Sequence, residues 1–341
     1  MGNYSYRIKE GYIMENQILW LNRKEVESLL DMNGTISVVE EAFRQHGLKK
    51  VQMPSKLYLY FKKHNGDLRT MPAYLEEQDI TGVKIVNVHP DNPRKGLPTV
   101  MALVILNSTE TGAPIAIMDG TYLTDMRTGA SGGIAVKHLA GRNAKKVGFV
   151  GSGNQAKTQL LGINEVIDIE EVKVTSISEK STLAFKDEVE KLIGCDIIPK
   201  ISIKDVCDCD IIVTTTPSRT PIVMNEWIEE GTHINAIGAD APGKEELDPV
   251  LLKRAKIVVD DIPQASHSGE INVPLSKGLI TEKDIWCELG EVIAGRRKAR
   301  TKDSDITIFD STGLAIQDVA TADLVYQQAI ERNIGISLQQ F

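Results

Sequence analysis

Five charged residues stand in segments whose pattern calls for apolar ones. Lys84 interrupts Gly82-Val-Lys-Ile-Val86. Arg127 lies in Asp125-Met-Arg-Thr-Gly-Ala130, at the head of an otherwise apolar helical stretch. Asp240 follows Ile234-Asn-Ala-Ile-Gly-Ala239, at the end of a candidate strand, and Lys56 and Arg69 flank the first predicted hairpin. A bare charge in such a setting is costly. Taken singly, each is more often half of a structural ion pair or a side chain whose stem covers apolar surface. Taken together, several cations and one carboxylate suit a small carboxylate substrate. Arg clamps a carboxylate bidentately. A Lys of lowered pKa moves a proton at the α-nitrogen or oxygen while hydride moves at the α-carbon. An ionised Asp steadies a developing iminium or a water.

The hydride reading comes from a second motif. Gly151-Ser-Gly-Asn-Gln-Ala156 follows the apolar run Val147-Gly-Phe-Val150 and precedes a helical pattern, the context a dinucleotide fingerprint requires. Gly151 permits the tight turn, Gly153 lets the backbone approach a pyrophosphate, and Ala156 lets the helix pack on the strand. The helix N-terminus offers free N–H groups to the phosphates. An ordinary glycine-rich turn is the bland alternative; the second strand–helix unit that follows argues against it. At the end of that second strand an acid would hold the ribose hydroxyls, but the segment reads Val174-Thr-Ser-Ile-Ser-Glu-Lys180. Ser176 or Ser178 stands where the acid is expected, with Lys180 nearby and Glu179 opposing. This tips the cofactor from NAD(H) towards NADP(H), or towards use of both. Thr215, in Thr214-Thr-Thr-Pro-Ser218, lies at the end of a later strand, where small hydroxyls line the nucleotide crevice; a simple β-turn is the alternative.

The elements that must position these residues fall into two patterns. Residues 21–46 read as helical. Residues 56–61, 82–88, 99–106 and 114–118 read as strands separated by turn signals, an arrangement of mixed or antiparallel α+β type. After the Gly- and Ala-rich helix at 122–139, strands at 147–150, 172–177, 211–215, 234–237, 256–259 and 306–309 alternate with helices. That alternation predicts a Rossmann-type doubly wound parallel sheet. A last helix, 315–329, returns to the first unit. The division is residues 1–125 with 315–341 for substrate and dimer contacts, and 126–314 for the dinucleotide.

Composition excludes several other classes. A net charge of −8 over 341 residues speaks against nucleic-acid binding. No apolar run is long enough to cross a bilayer. The polar N-terminus carries no secretory signal, Met14 is a second candidate start, and the cytoplasm is the default address. The four cysteines form no disulfide framework, and Cys207-Asp-Cys209 has the wrong spacing for zinc. His89, His138, His233 and His267 have no ligand spacing, so no metal is expected.

Several ordered blocks resemble the ornithine cyclodeaminase/μ-crystallin family over nearly the whole chain. They are Met71-Pro-Ala-Tyr74, Gly82-Val-Lys84, the stretch from Asp119 to Ala130, the glycine loop, the stretch from His233 to Leu247, Gly269-Glu-Ile271, Gly290-Glu-Val-Ile-Ala-Gly295 and the stretch from Phe309 to Asp318. The resemblance implies that Lys84 transfers the proton, Arg127 clamps the carboxylate and Asp240 is the acidic catalytic partner. It implies that Lys56, Arg69 and Thr99 line the substrate pocket and that Lys244 reaches substrate or cofactor. Thr128, Asn154, Gln155, Ile234, Asn235, Ala236, Ile237 and Thr312 are implied to contact the cofactor. A homodimer built through the N-terminal units is implied as well.

Within the family, Thr214-Thr-Thr-Pro-Ser-Arg219 and the stretch from Ile308 to Ala315 are similar to the archaeal-type alanine dehydrogenases. Those interconvert pyruvate, ammonia and NAD(P)H with L-alanine. The alternatives are reduction of the cyclic ketimines Δ1-pyrroline-2-carboxylate and Δ1-piperideine-2-carboxylate, ornithine cyclodeamination, and cofactor binding without turnover. Arg69 stands where the cyclodeaminases carry a Glu suited to a distal amine, which demotes ornithine. Asp240 stands where μ-crystallin-type members lack the acid, which demotes a non-catalytic role.

Overall fold

A computed structural model describes residues 17–339, and the reading of the N-terminus, with its second candidate start at Met14, lies outside them. The chain opens with β1 (Gln17–Leu21), α1 (Arg23–Leu29) and α2 (Met32–Gly47). The single helix expected over 21–46 is therefore a strand and two helices. Leu21 belongs to β1, beside Met118 of a parallel neighbour. Leu30 is extended, and the Asp31 side chain accepts from the Gly34 N–H at 2.7 Å to cap α2. An Asp in a helical-looking run can be a start signal rather than an interior residue.

There follow β2 (Val51–Gln52), β3 (Leu57–Phe61), β4 (Gly66–Leu75), β5 (Ile80–Val88), β6 (Val100–Asn107), β7 (Pro114–Asp119) and α3 (Thr121–Leu139). β4 was not expected, because Pro72 interrupts it. On one side β4 pairs with β3 through Thr70 and with β2 from Tyr74, so Pro72 falls in the gap, where no donor is needed. The first sheet is mixed: β1 runs parallel to β7, and its other pairs are antiparallel.

The second sheet is parallel throughout. The elements of this part of the chain, in order, are β8 (Lys146–Val150), α4 (Asn154–Asn164), β9 (Glu171–Thr175), α5 (Glu179–Ile193), β10 (Ile197–Pro199), β11 (Ile211–Thr214), β12 (Arg219–Val223), β13 (His233–Ala236), β14 (Glu245–Leu247), α6 (Pro249–Arg254), β15 (Lys256–Val259), α7 (Ile262–Ser268), α8 (Asn272–Ser276), β16 (Ile285–Glu288), α9 (Leu289–Ile293) and β17 (Thr307–Asp310). The order β10-β9-β8-β11-β13-β17-β15-β16 reverses between β8 and β11, and β12 and β14 pair apart from it. A crevice at that reversal is where doubly wound sheets bind ligands. The Rossmann-type architecture expected from the alternating pattern is present.

Two helices join the sheets. α3 packs on α4 so closely that a Cβ at Gly133 would lie 2.3 Å from the Gly162 carbonyl oxygen. The expected division at 125/126 falls inside this helix. α10 (Ala315–Arg332) crosses back over β4, β5 and β6, and β18 (Ile336–Gln339) then pairs antiparallel with β1. One apolar cluster runs from the first sheet through Ile134 and Ile316 to Val258 and Phe309 of the second. The cleft between the sheets thus has walls tied to a common core.

Candidate active site

β5 buries every second residue, and the alternation puts Lys84 inward with Gly82 and Val86. Its side chain is 1% exposed. The Nζ donates to Asp318 Oδ1 at 2.7 Å and to Thr124 Oγ1 at 3.3 Å. Asp318 projects from the first turn of α10 and is fully buried. The same oxygen accepts from Arg127 Nε at 2.9 Å, while Arg127 Nη1 donates to Gln317 Oε1 at 2.9 Å. Asp318 Oδ2 has no partner among the described residues. Burial, seconded by the Arg127 charge, lowers the Lys84 pKa to about 7 against the pull of Asp318. A buried lysine shared in this way changes protonation near neutrality, which suits proton transfer.

A second ionic group faces this one across the cleft. Arg69 donates to both oxygens of Asp67 and, through Nη1, to Asp240 Oδ2 at 3.2 Å. Its guanidinium also lies over the Tyr58 ring, 5.2 Å from the centroid. Lys244 Nζ donates to Asp240 Oδ1 at 2.5 Å. Desolvation opposes ionisation of Asp240, but Lys244, Arg69 and Lys56 outweigh it and hold its carboxyl below the usual range. Lys56 donates to the Thr312 carbonyl, and burial lowers its pKa to about 8. These groups enclose a cleft of about 300 Å³ with Met71, Val86, Val88 and Val100 as its apolar wall.

The cleft opens onto the turn after β8. Gly151 has φ +109°, and a Cβ there would sit 2.6 Å from Thr215 Oγ1. The turn closes only with glycine, bringing the ends of β8 and β11 together. Gly153 is the N-cap of the eleven-residue α4 and supplies no capping side chain. A Cβ on Gly153 would meet nothing within 4 Å. Free helix N–H groups with open space before them suit a phosphate, so the residues present fit a dinucleotide. Around it, Gln155 donates to Asp125 Oδ1 at 2.8 Å. Burial raises the Asp125 pKa to about 6. Asp260, raised by burial to about 6, accepts the Thr312 and Gly313 backbone N–H groups at 2.6 and 2.7 Å.

At the end of β9, Ser176 Oγ lies 2.8 Å from Ser181 Oγ and 2.9 Å from Thr182 Oγ1, and Ser178 caps α5. Ser152, from the glycine turn, donates to Ser181 Oγ at 3.1 Å. The hydroxyls expected at this strand end therefore cluster beside the glycine turn.

Of the residues singled out in the sequence, the structure brings Lys56, Arg69, Lys84, Arg127, Thr128, Gln155, Thr215, Ile237, Asp240, Lys244 and Thr312 to one cleft. Gly151, Gly153 and Asn154 form the adjoining turn, and Ala156 is fully buried behind it. Thr99 does not line the cleft; its carbonyl accepts from the His89 N–H at 2.8 Å, and its neighbour Val100 faces inward. Ile234, Asn235 and Ala236 are fully buried in the central strand β13, and the residue that reaches the cleft is Ile237, just past its C-terminal end. Asn235 Nδ2 donates to the Gly132 carbonyl and to Gln159 Oε1, tying β13 to α3 and α4. Sequence reasoning missed Asp318, Thr124, Asp125 and Asp260. Asp318 was nonetheless the last residue of a recognised block, an acid on an apolar helix.

The sequence profile of the Ornithine cyclodeaminase/mu-crystallin family matches residues 16–333. Alanine dehydrogenase of Archaeoglobus fulgidus is 55% identical over 95% of this chain and 99% of its own length. Among solved structures, an archaeal alanine dehydrogenase dimer with bound NAD superposes with a TM-score of 0.92 at 54% identity, covering 95% of this chain and 100% of that one. Thermococcus litoralis Δ1-pyrroline-2-carboxylate reductase, in complex with NADH and L-proline, superposes with a TM-score of 0.91 at 40% identity, covering 94% and 99%.

Proposed function

Because the chain belongs to the ornithine cyclodeaminase/mu-crystallin family, we propose that it is a nicotinamide-dependent oxidoreductase interconverting pyruvate and ammonia with L-alanine. The observation that carries this reading is the Lys84–Asp318–Arg127 triple at the floor of a cleft that opens on the glycine turn. The 55% identity to an alanine dehydrogenase supports it.

The cofactor, when bound, supplies or accepts the hydride at the substrate α-carbon. The turn at Gly151 and Gly153, with the N-terminus of α4, holds its phosphates. Thr215, Gln155 and Thr312 lie on the path from that turn to Lys84. Arg127 is anchored at Nε and Nη1 and has Nη2 without a protein hydrogen bond among the described residues. That leaves a fixed donor for the substrate carboxylate. Neutral Lys84 accepts a proton from the α-ammonium group of alanine, and charged Lys84 returns one in the reductive direction. Ionised Asp240, held by Lys244 and Arg69, balances positive charge developing at the α-nitrogen. The hydroxyl cluster of Ser176, Ser178 and Ser181 presents no carboxylate to a ribose phosphate. It admits NADP(H) beside NAD(H). A homodimer formed through the first sheet completes the reading.

A specific observation favours a second reading. The Thermococcus relative reduces, by its name, a cyclic imino acid. The same clamp and proton donor would serve that ring. The test is cofactor oxidation with pyruvate plus ammonium beside Δ1-pyrroline-2-carboxylate and Δ1-piperideine-2-carboxylate, each with NADH and NADPH. Turnover of pyruvate with ammonium at least equal to that of the cyclic imines is expected. Turnover of the cyclic imines alone would replace the first reading by the second.

A further inference from the structure

The geometry points to a divalent-cation site formed by His46, Asp261 and Glu288, outside the catalytic cleft. One ligand atom from each residue lies within 4.8 Å of the other two. The three come from different elements: His46 from α2, Asp261 from the N-cap of α7 and Glu288 from the N-cap of α9. Their distance in sequence explains why no spacing pattern announced them.

The imidazole argues for a missing ligand. His46 is 6% exposed, and the ring nitrogen that faces the carboxylates is Nε2. Its Nε2 is 3.5 Å from Asp261 Oδ2, too long for a hydrogen bond of ordinary strength. A buried imidazole without a hydrogen bond is an exception that needs a cause. The carboxylates are pre-set. Asp261 Oδ1 accepts from the Gln264 N–H at 2.9 Å, which turns Oδ2 towards His46. Glu288 Oε1 accepts from the Ile262 N–H at 3.2 Å. Backbone donors of this kind orient metal-binding carboxylates from behind.

One nitrogen and two carboxylate oxygens suit a borderline divalent ion of the zinc, cobalt or manganese type. With metal–ligand bonds of about 2.0–2.2 Å, tetrahedral ligand atoms stand roughly 3.4 Å apart, close to the His46–Asp261 separation. The remaining adjustment falls to Glu288, whose Oε2 now accepts from Lys49 Nζ at 3.0 Å. Lys49 is 66% exposed at its side chain and can turn to solvent when an ion takes its place. The ion would then clamp α2 of the first layer to the turn at 260–261. Asp260 in that turn holds the Thr312–Gly313 backbone at the cleft.

The test uses the full-length protein after dialysis against a chelator. Cobalt(II) chloride is titrated by visible absorption, zinc(II) chloride by calorimetry, and thermal unfolding is followed with each. The expected result is one equivalent bound with nitrogen–oxygen ligand-field bands and a melting temperature that rises with metal. His46→Gln should weaken binding by about tenfold or more. Lys49→Ala should tighten it by about two- to five-fold, the worth of an exposed ion pair. This second variant leaves the buried ligands intact, so the site is tested even where His46→Gln fails to fold. No metal-dependent signal, affinity unchanged in His46→Gln, unchanged or weaker affinity in Lys49→Ala, or sulfur charge-transfer bands from the free thiols of Cys207 or Cys209 would overturn the proposal.

Discussion

Asp318→Asn separates charge from shape at the centre of the site. The change keeps the side-chain outline and removes the carboxylate 2.7 Å from Lys84 Nζ and 2.9 Å from Arg127 Nε. An opposite charge at such range moves a pKa by about 1–3 units, and each unit is about 1.4 kcal/mol. Lys84 stands at about 7 with Asp318 in place. Without it, the lysine should fall to roughly 4–6. In the proposed role, alanine oxidation needs neutral Lys84, so the wild-type rate should rise with pH through about 7. In the variant this limb should move down by about 1–3 units. On the same role the reductive direction needs protonated Lys84, half populated at neutral pH in the wild type, and there it should lose roughly 5- to 500-fold by the same shift. Stability gives a second readout. The folded-state pKa of Lys84 is depressed from 10.5 to about 7. The unfolded chain therefore binds more protons between those values, and stability should rise with pH across that window. In the variant the rise should begin at lower pH. The assay is initial rate by reduced-cofactor absorbance in both directions across the pH range, with thermal unfolding alongside. A limb that stays within about 0.3 unit of wild type, smaller than any shift expected here, would refute the electrostatic link between Asp318 and Lys84.

Four further outcomes rest on the same geometry. Arg127→Lys keeps a charge but loses the fork; KM for pyruvate or alanine should rise by about 10- to 100-fold, the worth of a charge-assisted bond, as steady-state kinetics would register. Gly153→Ala meets open space and should leave the melting temperature of the ligand-free protein unchanged while weakening NADH binding measured by fluorescence. Gly151→Ala must instead push against Thr215 and should destabilise the fold by about 1–3 kcal/mol in denaturant titration. Ser176→Asp should turn the NADPH-to-NADH ratio of kcat/KM towards NADH by about tenfold or more, since a carboxylate beside a 2′-phosphate repels it.

Much of the site was legible because its residues broke a local pattern. Lys84 stood out in an apolar strand, and the glycine turn was readable because a strand and a helix flank it. Asp240 was placed by the strand end it follows. Residues obeying a local pattern stayed hidden. Asp125 and Asp318 sit in helices, where acids are usual on a solvent face, and only the packing of α3 and α10 covers Asp125 in part and buries Asp318 outright. Asp260 looked like half of an acidic turn, yet its carboxylate holds the Thr312 loop. Ile234, Asn235 and Ala236 belong to the matching block, but the central strand buries all three, and only Ile237, just past its end, reaches the cleft. β4 escaped because Pro72 reads as a strand breaker until the gap between β3 and β2 is known.

The bond from Arg69 to Asp240 means that the resting protein carries its own competitor. Two arms of the guanidinium are committed to Asp67, and the third is engaged by a carboxylate of the chain itself. A substrate anion wins Arg69 only by exchange, not by filling a vacancy. The observed affinity is then the intrinsic one reduced by the fraction of molecules in which the pair is parted. That discount falls on all anions alike, and it is recovered only by a ligand that gives Asp240 a new cation to face. An α-ammonium or iminium does so; a bare carboxylate such as lactate or acetate does not. With the proposed roles of Arg69 and Asp240, discrimination for nitrogen at the α-carbon would thus be built into an ion pair on the far side of the cleft from the lysine.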